Sequence, residues 1–162
     1  MQQVIFIVLS LLTLGAAIMV VTSRSLFRSA LWLILTFGGI AALFILLQAE
    51  FLAVVQVLIY IGAIATLIIF AIMLSRSLMD PNEPRFNDQW RLVVGFGALL
   101  FVALAAIVTQ IPWPVDVAAV PPDAIQQLGA GFVGAYVIPF EVASVLLVAA
   151  LIGAIIVARE RE

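Results

Sequence analysis

Five long apolar stretches decide what this chain can become: Val4 to Val21, Ala30 to Leu47, Phe51 to Leu74, Leu92 to Ile111 and Pro139 to Ala158. Each approaches or exceeds the ~20 apolar residues that a helix needs to cross a hydrocarbon core about 30 Å thick. Their apolar residues run around all sides rather than along one stripe, as in helices immersed in lipid or in a bundle. None alternates with the period of two that a lipid-facing barrel requires. Of the 162 residues, 66% are hydrophobic and only 10% charged, against roughly 25% charged in a soluble domain, so the chain lacks the polar surface to cover a globule. The expectation is an all-α integral membrane protein with five transmembrane helices, forming a single membrane domain over residues 1–162.

The arginines set an expected topology. Arg24 and Arg28 fall between spans 1 and 2, Arg76, Arg85 and Arg91 between spans 3 and 4, and Arg159 and Arg161 after span 5. Five crossings put all of them on one side, which by the positive-inside rule places the N-terminus outside and the C-terminus in the cytoplasm. The opening Met-Gln-Gln has no basic residue, so span 1 reads as a retained helix rather than a cleaved signal. Gln48 to Glu50 is too short to let spans 2 and 3 be anything but antiparallel neighbours, whereas Ser75 to Arg91 and Pro112 to Ile138 are long. The latter is expected to begin irregularly and to hold at most a short helix near Asp123 to Leu128, stopped at Gly129. No internal repeat is visible, which argues against an inverted-repeat transporter.

Composition also excludes chemistry. The chain has no Cys and no His, so it offers no thiolate or imidazole for zinc, haem or an iron–sulfur cluster, no disulfide and no Ser-His or Cys-His nucleophile. A net charge of −2 leaves no basic surface for nucleic acid. Gly129-Ala-Gly131-Phe-Val-Gly134 spells G-x-G-x-x-G, but the dinucleotide fingerprint needs a preceding strand and a helix opening within the glycines, and here it lies in a loop entering a membrane span.

Span 3 carries the densest information. Gln56 and Tyr60 are four residues apart and share a helical face, which Ala63 and Leu67 continue. Tyr60 lies near mid-membrane, where a phenol needs a hydrogen-bond partner from another helix or from water. Gly62 weakens the local ladder and permits close approach or a π-bulge; the span is longer than the core requires, so tilt or a bulge is expected. Two readings stand: small residues Gly62, Ala63 and Thr66 at a packing seam, or a polar face touching a hydrated path. Glu141 is the one ionisable residue inside a span. With Pro139 at the first helical position it would cap the first turn of span 5; buried against partners, it would become a protonatable relay. Ser144 stands near it, and Glu50 reads as a solvated residue of the short connection. Ala149/Gly153 and Ala150/Ala154 form a small-xxx-small seam suited to a helical neighbour.

Phe51-Leu-Ala-Val-Val-Gln-Val-Leu-Ile-Tyr-Ile-Gly-Ala-Ile, the following Phe70-Ala-Ile-Met-Leu, Ser29-Ala-Leu, Tyr136-Val-Ile-Pro-Phe-Glu-Val-Ala-Ser and Leu151-Ile-Gly-Ala-Ile-Ile-Val-Ala-Arg-Glu together resemble the subunit J family of bacterial proton-pumping NADH:quinone oxidoreductase (complex I), the counterpart of mitochondrial subunit 6. The resemblance covers spans 1 to 3 and span 5. It implies a non-catalytic five-helix subunit of the membrane arm in the bacterial inner membrane, beside subunits of types A, H and K and the antiporter-like subunits. NADH, FMN, iron–sulfur clusters and quinone would be held by partners and none by this chain. It also implies a third helix that gains or loses a π-bulge at Tyr60 and Gly62 and so gates the proton-coupling path, with Gln56 facing that path. Gln56 stands where some relatives carry Glu, and Ala65-Thr66-Leu67 where the family commonly has Met-Val-Leu. Two other readings are a purely structural assembly subunit and a small oligomeric transporter.

Overall fold

The fold was taken from a computed structural model, which describes residues 1–74, 89–112 and 121–159. Among the described residues five helices are long and apolar enough to span a membrane, and there is no strand. They are α1 (Gln2–Thr22), α2 (Leu26–Leu46), a 25-residue third span over Glu50–Leu74, α5 (Trp90–Gln110) and α7 (Val137–Ala158). The third span is composite: α3 (Glu50–Val55), a ten-residue π-helical segment (Gln56–Ala65) and α4 (Thr66–Leu74). A shorter helix, α6 (Ala124–Val133), precedes α7. The expected loop positions 75–88 and 113–120, with Arg76 and Arg85, lie outside the described residues, as does Arg161. The chain divides into two compact units, Met1–Val117 and Ala118–Glu162.

In the first unit α1 packs along α2, and α2 packs along all three parts of the third span. Among the described residues the buried apolar ones are five alanines, Ala16, Ala30, Ala41, Ala53 and Ala65. Lipid tails are as apolar as leucine, so no hydrophobic gain drives one membrane helix onto another; close backbone approach through small residues does. Among the glycines of the described residues the closest neighbour is met at Gly39, where an added Cβ would collide with the Thr13 hydroxyl. That hydroxyl already donates to the Leu9 carbonyl at 2.7 Å, so Thr13 is held where it needs a glycine opposite. Thr36, also buried, donates in the same manner to Trp32 at 2.9 Å, which satisfies its hydroxyl within its own helix.

Helix ends differ from the sequence expectation for local reasons. α2 begins at Leu26 rather than Ala30 because Ser25 caps it, its side chain accepting from the Arg28 N–H at 3.5 Å; Arg28 is thus in the first turn and not in the connection. The turn between α2 and α3 is a Schellman motif: the Gln48 N–H donates to the Ile45 carbonyl and the Ala49 N–H to the Phe44 carbonyl, both at 2.9 Å. Its left-handed position, at φ 58°, is filled by Gln48, where glycine is the usual occupant. The tight turn makes α2 and the third span antiparallel neighbours, as their short connection requires.

In the second unit α6 runs through Gly129 and Gly131 to Val133 and does not stop at Gly129. Gln127 Nε2 donates to Asp123 Oδ1 at 3.0 Å in its first turn. The stop comes at Gly134, where a Cβ would press on the Ala130 carbonyl at 3.0 Å. The Tyr136 N–H then donates back to the Gly131 carbonyl at 2.9 Å, and the Phe132 and Phe140 rings meet with centroids 6.1 Å apart, tying α6 to α7. The G-x-G-x-x-G is therefore a helix end and a tight turn, not a phosphate cradle between strand and helix.

Candidate functional site: the π-helical segment of the third span

A π-helix closes its ladder with i→i+5 bonds, is rare, and usually occurs as a single-turn bulge. Here it extends from Gln56 to Ala65 and contains Tyr60 and Gly62. A bulge is one of the two expected ways to house a span longer than the bilayer core, and the third span contains one. Thr66 Oγ1 donates to the Ile61 carbonyl, five residues back, at 3.3 Å; this marks where the ladder returns to α-helical spacing.

The widened turn sets which residues face α2. Gln56 and Ala65 are both buried. Nine residues apart, they would lie about two and a half turns apart on an α-helix, on opposite sides. With more than four residues in each π turn, about two turns separate them and one side holds both. The π geometry thus lets one straight neighbour, α2, cover both ends of the segment.

Gln56 is 6% exposed and Tyr60 42% exposed, so the pair expected to share a face has unequal cover. Tyr60 meets Phe37 of α2 edge-on, ring centroids 5.4 Å apart and planes at 70°, a favoured aromatic arrangement. Among the described residues no group hydrogen-bonds to its hydroxyl. Gly62, Ala63 and Thr66 are exposed, and a Cβ on Gly62 would meet only the Val57 carbonyl of its own helix, at 3.5 Å. Within the chain, therefore, these small residues do not form the packing seam; Ala53 and Ala65 do.

Glu141 belongs to α7, in the second unit. α7 begins at Val137, not Pro139, and has no acidic residue in its first turn, so Glu141 sits one turn beyond a capping position. The reason is that none of the first four N–H groups of a helix has an intrahelical partner, so proline's missing N–H costs nothing at the third position either. Ser144 Oγ donates to the Phe140 carbonyl at 3.1 Å, not to the Glu141 carboxylate. Glu141 is exposed on an otherwise apolar helix whose Ala149, Ala150, Gly153 and Ala154 are likewise uncovered.

This arrangement offers no nucleophile paired with a base, and no group of three or more acidic, His or Cys residues among the described residues could hold a metal. It presents a deformable helix with a phenol, a buried amide and a glycine.

Residues 16–157 match the family described as NADH-ubiquinone/plastoquinone oxidoreductase chain 6. The chain is 38% identical to F(420)H(2) dehydrogenase subunit J of Methanosarcina mazei, over 98% of this chain and 92% of that one. It is 36% identical to NAD(P)H-quinone oxidoreductase chain 6 of Synechocystis sp., over 98% of this chain and 81% of the relative. With the chloroplastic subunit 6 of Adiantum capillus-veneris the identity is 34%, over 93% and 79%. The chain therefore belongs to the NADH-ubiquinone/plastoquinone oxidoreductase chain 6 family, as a multi-pass membrane subunit of a multisubunit quinone oxidoreductase.

Proposed function

We propose that this subunit gates the proton-coupling path of its complex through the π-helical segment, with Tyr60 and Gly62 as the moving parts and Gln56 lining the path. The observation that carries the reading is the ten-residue π stretch around Tyr60 and Gly62. Reverting such a segment to α-helix removes its surplus residue and turns one flank of the span by about 100° relative to the other. Such a turn carries the Tyr60 hydroxyl away from or toward a hydrated route, and exposed Gly62 lets the backbone change without a side chain to drag. Tyr60 can both donate and accept a hydrogen bond, and so can the Gln56 amide; both can order water, though Gln56 has no proton to titrate.

In this reading NADH or another donor, FMN, iron–sulfur clusters and quinone belong to partner subunits. The relatives above are named for different donors, F(420)H(2) in one and NAD(P)H in the others, which suits a subunit that touches neither. The neighbours would be subunits of types A, H and K and the antiporter-like subunits, in a bacterial inner membrane with the N-terminus outside. Membership of a multisubunit oxidoreductase removes the need for a self-assembled transporter. The purely structural reading is kept by α5 and α7, whose apolar sides are uncovered within the chain. The deciding experiment uses Tyr60→Phe and Gly62→Val in the fully assembled complex in sealed vesicles. Gating predicts quinone reduction retained with proton pumping reduced several-fold; pumping unchanged in both variants leaves a scaffold only.

A further inference from the structure

A groove of about 520 Å³ opens between α2 and the N-terminal end of the third span. Ala41 and Ile45 line it from α2, Ala53 and Val54 from the third span, Val57 and Leu58 are its lining residues farthest along that span from Glu50, and Glu50 is its one charged group, at the start of the span. Among the described residues the Glu50 carboxylate has no ion-pair or hydrogen-bond partner. Arg24 and Arg28 sit at the opposite end of α1 and α2, in the connection and the first turn of α2.

We propose that this groove holds one acyl chain of phosphatidylethanolamine, whose headgroup ammonium pairs with Glu50. Two arguments select that occupant. From Glu50 to Leu58 the groove reaches about 12 Å along the helix, less than half of a core about 30 Å thick. It therefore stops inside one leaflet, where a lipid tail ends and a transmembrane partner helix does not. Its chemistry is also that of an amphiphile: apolar along its depth, with one anion at the water boundary. That anion repels phosphate-only headgroups and attracts a primary ammonium, which carries three N–H donors. A tail in this position packs on the first turn of the π segment, at Val57 and Leu58.

The test photolabels the intact complex with phosphatidylethanolamine bearing a diazirine on one acyl chain and maps the crosslinked peptides. Labelling is expected to concentrate around Val57 and Leu58, to fall about fivefold in Glu50→Gln, as for an exposed ion pair, and to vanish in Ile45→Trp, which fills the groove from an exposed position. Diazirine-bearing phosphatidylglycerol should label the site less than phosphatidylethanolamine does. Equal labelling of wild type and Glu50→Gln, equal labelling by phosphatidylglycerol, or a partner subunit's helix captured by a photoreactive residue at position 57 would each overturn the proposal. The readout does not involve proton pumping, so its failure is separable from failure of the gating reading.

Discussion

α2 and α7 are nearly equal in length and both strongly apolar, yet they are used differently. α2 is covered on two sides, by α1 and by the third span, and buries Ala30, Thr36 and Ala41. Every residue of α7 is exposed. Both carry small residues at helical spacing, and in α2 these accept a neighbour whose shape matches: Thr13 opposite Gly39, pinned by its own hydrogen bond. Small residues permit close packing, but only a complementary surface turns permission into contact. Glu141 is the one charged residue of α7, and a carboxylate within a membrane-spanning helix is costly to leave facing lipid tails.

Substitutions can break this contrast. The largest effect is expected from Gly39→Val, which drives a branched side chain into Thr13; overpacking of this kind costs typically about 1–3 kcal/mol. The measurement is the yield and unfolding temperature of the intact complex, both of which should fall. Gly153→Val, by contrast, meets open space in the chain. It should leave the helicity of the isolated subunit in detergent unchanged by circular dichroism while lowering its incorporation into the complex, and unchanged incorporation would mean that no partner uses that seam. Glu141→Gln sharpens the comparison further. Turnover or pumping should drop several-fold with assembly intact, and wild-type turnover would reduce Glu141 to a surface carboxylate. The smallest effect is expected at the turn that joins α2 to the third span. Gln48→Gly relieves a left-handed residue and should stabilise by up to about 1 kcal/mol, the usual left-handed penalty partly offset by the extra backbone freedom of glycine in the unfolded chain; the readout is a small rise in unfolding temperature.

Not all of the site was equally legible. The excess length of span 3 and its Tyr60-x-Gly62 pointed to a bulge, but not to a segment running from Gln56 to Ala65. Hydrophobic patterning counts residues at a fixed angle, and a π turn changes the angle itself. The i, i+4 spacing of Gln56 and Tyr60 assigned them one face; their unequal burial depends on where α2 lies, which no local pattern encodes. Glu141 was drawn to the first turn because Pro139 favours the first position of a helix, although proline is tolerated throughout that turn.

What the chain's sequence determined alone is the number and approximate limits of its membrane spans and the antiparallel pairing of the second and third. Those follow from the cost of taking charge and unpaired backbone into hydrocarbon and from the reach of three residues. What the tertiary structure decided is which alanines are buried, that Gly39 faces Thr13, and that Gln56 and Ala65 come to one side of the third span. In a chain where almost every side chain is apolar, hydrophobicity cannot tell a lipid-facing position from a helix-facing one; steric fit between particular backbones makes that choice.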